Sequence, residues 1–196
     1  MTATATRVLV FCASSESCDP RYHEGGARLG EVLARAGMTV VYGGGALGTM
    51  GRLSKGALAA GGQVRGIQPR FMNELGWAQE GLHDLELVED MQERMRRMLA
   101  VADAIVALPG GSGTLEELLD AITAKRLGEI VAPIVIVNQD GFFDPLIEQL
   151  ARCVDEHFMD ERHRSMWQVV AKPEEVPDAL RAAPAWSKGA IAFANV

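Results

Sequence analysis

Ala104-Ile105-Val106-Ala107-Leu108-Pro109-Gly110-Gly111-Ser112-Gly113-Thr114-Leu115-Glu116-Glu117 is the stretch whose reading decides the fold. An apolar run of strand type stops at Pro109, crosses Gly110, Gly111 and Gly113, and enters a helical pattern at Leu115, Leu118, Leu119 and Ile122. Strand, glycine loop and helix in that order describe the turn of a βαβ unit, where bare backbone N–H groups approach an anion at a helix N-terminus. The helix dipole favours negative charge at that spot, and a phosphate is the guest that suits it best. Glu117 stands just beyond the loop, which suggests chemistry on a phosphorylated substrate.

The same alternation extends in both directions. Strands are predicted over 7–12, 39–42, 64–67, 85–88, 104–108 and 133–137. Helices are predicted over 22–36, 49–60, 90–101 and 114–125, and near 144–156 and 173–181. Near-continuous apolar strands alternating with helices mean a parallel sheet covered on both faces, an α/β Rossmann-like doubly wound fold with right-handed crossovers. Ligands of such folds sit at the carboxyl ends of the strands. The polar and glycine-rich loops Ala13-Ser14-Ser15, Gly43 to Gly51 and Pro109 to Thr114 all fall there. No internal repeat or linker divides the 196 residues, so a single nucleotide-binding domain is expected. Residues 183–196 form an Ala-rich tail, either flexible or docked.

Composition narrows the partners. A net charge of −7 argues against a nucleic-acid duplex or an anionic membrane as the main partner, and no apolar run is long enough to span a bilayer. Three cysteines (Cys12, Cys18, Cys153), read as small buried hydrophobes, and an opening segment without a leader pattern point to a reduced cytoplasmic setting. His23, His83, His157 and His163 lack metal-ligand spacing, so no metal site is expected, and His157 and His163 read as surface residues. Lys55, Lys125, Lys172 and Lys188 lack a context suggesting a pyridoxal Schiff base.

Each motif has a functional and a structural reading. Gly43-Gly44-Gly45-Ala46-Leu47-Gly48 matches G-x-G-x-x-G, but the next strand ends in Arg65-Gly66-Ile67-Gln68-Pro69, without the acid that would hold a nicotinamide ribose. The loop therefore either lets backbone approach a nucleotide or allows close helix–strand packing. Thr114-Leu115-Glu116-Glu117 has capping-box spacing, so Glu117 is either a helix-start device or a carboxylate facing a developing positive charge. Arg94 borders the helical stripe Met91, Met95, Met98, a core or subunit-interface pattern, while Arg96 points away. Arg94 binds either a substrate anion or Glu93 or another acid. Ser14 and Ser15 are either ligand contacts or a helix cap.

Together these segments resemble the LONELY GUY family of cytokinin-activating phosphoribohydrolases, often labelled lysine decarboxylases. Pro109 to Glu117 matches the family's P-G-G-x-G-T-x-x-E, Tyr42 to Gly51 its Y-G-G-G-x-x-G-x-M-G, and Val10-Phe11-Cys12-Ala13-Ser14-Ser15 its opening V-F-C-G-S-S. Asn138 to Leu146 is similar too, so the likeness runs over residues 7–160. The resemblance implies hydrolysis, without a cofactor, of the N-glycosidic bond of an N6-modified adenosine 5′-monophosphate, or of AMP itself, to free base and ribose 5-phosphate. It also implies a homodimer with the site near the interface. The family's functional Glu and Arg fall on Glu117 and Arg94. Ser14, Gly44, Gly45, Met50, Gly110, Gly111, Ser112, Gly113, Thr114 and Thr123 become the substrate-binding candidates. Arg94 then either anchors the phosphate or assists departure of the base.

The chain departs from the family at Met91-Gln92-Glu93-Arg94-Met95, which lacks the His and Lys of M-H-x-R-K. It departs again at Thr123 to Pro133, where Trp, Gln, His and Lys of a second motif are absent. These losses touch the base end of the site more than the phosphate end. They leave a non-catalytic nucleotide or molybdenum-cofactor carrier as the alternative use of the same pocket.

Overall fold

The computed structural model describes residues 6–195; the opening segment 1–5, read above as lacking a leader, and Val196 lie outside them. Seven parallel strands form one sheet in the order β4-β3-β2-β1-β5-β6-β7. They are β1 (Arg7–Phe11), β2 (Thr39–Tyr42), β3 (Val64–Pro69), β4 (Asp84–Val88), β5 (Ala104–Ala107), β6 (Ile134–Val137) and β7 (Trp167–Val170). Among the described residues seven α-helices connect or flank them: α1 (Pro20–Arg35), α2 (Gly48–Ala59), α3 (Arg70–Glu74), α4 (Met91–Val101), α5 (Ser112–Arg126), α6 (Asp144–Asp155) and α7 (Val176–Ala182).

Successive residues of β1 alternate between two cores. Leu9 and Phe11 join the core that contains Met98, Leu118 and Leu150, of α4, α5 and α6. Val8 and Val10 join the core that contains Leu29, Leu53 and Ala179, of α1, α2 and α7. Both faces of each inner strand are therefore buried, which explains why the strands read as continuous apolar runs. The chain builds outward from β1 to β4, then returns through α4 to place β5 on the other side of β1. The crevice between β1 and β5 is the switch point at which such sheets bind ligands.

Several expectations are corrected. β7 and α3 were not predicted: Trp167-Gln168-Val169-Val170 is a short, half-exposed edge strand, and α3 is a single turn after Pro69. The expected helix near 173–181 is a 3₁₀ turn, Pro173–Glu175, followed by α7. Leu119 is 40% exposed, so α5 buries Leu118 and Ile122 without it. His163 is fully buried rather than on the surface: its Nδ1 accepts the Asp160 N–H at 2.9 Å. Only Cys12 of the three thiols is buried. The tail lies against α5, with Trp186 Nε1 donating to the Lys125 carbonyl at 2.8 Å and Ala190 and Ala194 buried. Among the described residues no helix is long and apolar enough to cross a membrane.

Candidate active site

The loops after β1, β2 and β5 converge, as their position at the strand ends requires, on a cavity of about 570 Å³. α5 begins at Ser112 with Gly111 as its cap, and no side chain caps it. The first amides of α5 therefore lack both intrahelical and side-chain partners, and Ser112, Gly113 and Thr114 border the cavity. A Cβ added at Gly111 or Gly113 would meet nothing within 4 Å, so these glycines leave room for a guest. At Gly110 an added Cβ would strike the Thr114 side chain, so Gly110 makes the tight base of the loop.

This helix start removes one of the two readings of Glu117. The capping box predicted for Thr114 and Glu117 does not form, because the helix begins two residues earlier and Thr114 packs on Gly110. Glu117 instead meets Arg94, whose Nη1 donates to its Oε1 at 3.2 Å. Both groups are nearly enclosed, with side-chain exposures of 7% for Arg94 and 12% for Glu117. Arg94 Nε donates to the Ile67 carbonyl at 3.1 Å, so the guanidinium is held at two points. Glu93, the other candidate partner, accepts from the Glu89 N–H at 2.9 Å, and its own N–H donates to Asp90, the cap of α4.

Burial lifts the Glu117 carboxyl to about 7; Arg94 opposes that rise and Glu116 adds to it. A carboxyl poised near neutrality beside a fixed cation, in a cavity, is the environment expected of an acid–base or charge-stabilising group. Burial also pushes the Cys12 thiol up, so this residue of the cavity lining stays neutral.

Two glycines of the second loop are set by close approach. A Cβ on Gly43 would overlap Arg94 Nη2, so the guanidinium occupies the space that a side chain would take. Gly48 adopts φ +57°, and an added Cβ would lie 2.5 Å from the Ser14 and Ser15 backbone. The loop thus lets α2 pack closely on the β1 turn, and Gly43 and Gly45 also border the cavity.

Among the predicted site residues, Ser14, Gly45, Met50, Arg94, Gly111, Ser112, Gly113, Thr114 and Glu117 border one cavity. Gly44 lies against Gln68, with an added Cβ 3.2 Å from the Gln68 Cβ, and Gly44 and Gly110 shape the loops without lining the cavity. Thr123 is exposed and lines a neighbouring groove between α4 and α5. Neither serine caps α1, whose cap is Asp19, accepting from the Arg21 N–H at 3.0 Å. Gln68, Met72 and Trp77 also border the cavity, yet nothing in the sequence singled them out. Among the described residues no lysine borders it.

Residues 50–180 match the family described as "Possible lysine decarboxylase". Cytokinin riboside 5′-monophosphate phosphoribohydrolase LOG7 of Arabidopsis thaliana is 37% identical over 167 residues, covering 85% of this chain and 76% of that protein. The chain belongs to the LOG family. The LOG5 phosphoribohydrolase of Arabidopsis thaliana is 35% identical over 95% of this chain and 82% of that protein. The solved structure of TM1055 superposes with a TM-score of 0.71 at 27% identity, over 90% of this chain and 98% of that one. The molybdenum cofactor binding protein of Rippkaea orientalis reaches the same TM-score at 19% identity, over 92% of this chain and 98% of that one, which shows a shared fold. The glycine loops and the Arg94–Glu117 pair of this chain thus lie on a fold shared with these solved structures.

Proposed function

We propose that this chain hydrolyses the N-glycosidic bond of an adenosine 5′-monophosphate, plain or N6-modified, releasing free base and ribose 5-phosphate. The observation that carries this reading is the buried Glu117 carboxylate, held by Arg94 beside an open helix N-terminus. The phosphate sits on the Gly111 to Thr114 amides, and its binding energy positions the sugar. Cleavage leaves an oxocarbenium-like ribosyl centre, which Glu117 stabilises while orienting and deprotonating the attacking water. Arg94 holds the carboxylate in place. The family's alternative name finds no support in the site, since a Schiff-base lysine would have to border this cavity.

Incubating the purified protein with AMP and with N6-isopentenyl-AMP should release free base. Tight nucleotide binding without any release would make the protein a carrier and overturn the proposal. Because the active form of Glu117 is the carboxylate, kcat/KM is expected to rise about tenfold per pH unit below about 7 and to level off above it. A flat profile from pH 5 to 8 would remove Glu117 from the proton inventory.

The family resemblance also supports a homodimer, and the free thiols Cys12, Cys18 and Cys153 fit the reducing cytoplasmic setting expected from the cysteine usage. Met91 on α4, Leu119 on α5 and Leu127 just beyond the end of α5 are exposed. They line or flank a groove that shares Met91, Arg94, Glu116 and Glu117 with the cavity. A second subunit in this groove would close the site and shield the apolar side chains. Leu127→Glu should then halve the mass seen by sedimentation and raise KM; a variant that sediments like the parent would count against this interface.

A further inference from the structure

Gln68 stands next to the end of β3 and is 1% exposed, yet it is among the residues that border the cavity. Its Oε1 is buried without a hydrogen-bond partner. A buried carboxamide oxygen left unpaired is costly, and the fold alone offers nothing in return. The preceding residue, Ile67, supplies the carbonyl that holds Arg94, so Gln68 is one peptide away from the catalytic pair. Above it lies Gly44.

The same corner carries an aromatic wall. Ala46 N–H donates to the Trp77 carbonyl at 2.9 Å, and Gln79 N–H donates to the Gly44 carbonyl at 2.8 Å. These bonds pin residues 77–79 along the glycine loop. Trp77 nevertheless remains 46% exposed at the cavity edge. An aromatic residue and an unpaired carboxamide are thus found together at the β2–β3 end of the cavity. The Gly111 to Thr114 amides lie at the β5 end, three strand spacings away, about 14 Å.

We propose that Gln68 is a specificity-determining residue that reads the purine edge, with Trp77 as the surface on which the base stacks. This rests on the reading that the phosphate occupies the start of α5, which puts the base over β2 and β3. Turned toward the cavity by rotation of its side chain as the base enters, the carboxamide accepts a hydrogen bond from the exocyclic N6–H of adenine and donates one to N7, the pairing that glutamine makes with adenine. A 6-oxopurine offers two acceptors on that edge and cannot satisfy both ends of the amide. An adenine bearing one N6 substituent keeps one N–H and is still read.

The test compares the parent with Gln68→Leu and Gln68→Glu. It measures kcat/KM for AMP and IMP, and dissociation constants for AMP, IMP and ribose 5-phosphate in a Glu117→Gln background. The parent should prefer AMP over IMP by about tenfold or more, and Gln68→Leu should bring the two near parity. Ribose 5-phosphate should bind all forms alike. Gln68→Glu keeps the acceptor for N6–H but loses the donor to N7, so it should bind AMP more weakly than the parent and still prefer AMP over IMP. The melting temperature of Gln68→Leu should hold or rise, because an unpaired oxygen is replaced by methyl groups. An unchanged AMP-to-IMP ratio, or a fall in stability with equal loss for every ligand, would make Gln68 structural and overturn the proposal. Selective AMP binding without turnover would sink the hydrolase reading and leave the role of Gln68 standing. Turnover with a ratio insensitive to Gln68 would do the reverse, and a parent that binds no nucleotide would end both.

Discussion

Glu117→Gln is expected to lower kcat for base release about a thousandfold, within the range typical of a lost acid–base or charge-stabilising group. The amide keeps the length and shape of the side chain, and its oxygen still accepts from Arg94 Nη1. It supplies neither the negative charge that faces a ribosyl cation nor a base for water. Stability should change little, with a melting temperature within about 3 °C of the parent. The helix start does not depend on this side chain, because α5 is capped by Gly111 without side-chain help. Burial already disfavours the charged form of Glu117, so a neutral isostere removes a cost as well as an ion pair. Steady-state rates with AMP, paired with thermal melts, check both halves. Parental turnover in this variant would return Glu117 to a structural role.

Arg94→Ala should cost activity by a similar factor and stability as well, by about 3 kcal/mol, the lower end for breaking a buried ion pair. Removing the guanidinium leaves the Ile67 carbonyl and the Glu117 carboxylate without their cation. Arg94 is the influence that holds the Glu117 carboxyl down against burial. Without it the carboxyl moves further up and stays protonated at neutral pH, which softens the stability loss but removes the proton acceptor. The acidic limb of the pH–rate profile should therefore shift to higher pH, and urea unfolding should report the lower stability. Arg94→Lys should rescue little, since one ammonium cannot reproduce the planar fork that spans both acceptors. Parental rate and an unmoved pH profile in Arg94→Ala would separate this arginine from the chemistry.

These two side chains also show how far the sequence reading reaches. The loop around Gly110 to Thr114 was legible because glycines between an apolar run and a helical pattern leave few other structures. The role of Glu117 was not, because Thr114 and Glu117 are spaced like a capping box, and only the true helix start at Ser112 separates the two readings. Arg94 was visible as an arginine on the edge of an apolar stripe, but its partner lay 23 residues away, across a β–α crossover. Gln68 and Trp77 gave no local signal at all. A single glutamine at the end of an apolar strand looks like a strand ending, and a single tryptophan beyond a proline looks like a loop anchor.

The alternation of buried strands and helices was determined by the sequence alone, since side-chain period and glycine placement are local properties. It settled the sheet, its two covered faces and the ends at which a ligand would lie. Errors gathered where burial is partial: the edge strand β7, the single turn of α3, and Leu119, whose helical spacing suited a core that the helix does not present to it. Tertiary structure decided which polar groups meet. The parallel crossovers bring Arg94, Glu117, Gln68 and Trp77 around one cavity from four separate segments. Their chemistry depends on shared burial and distance, which no residue's immediate neighbours in the chain determine.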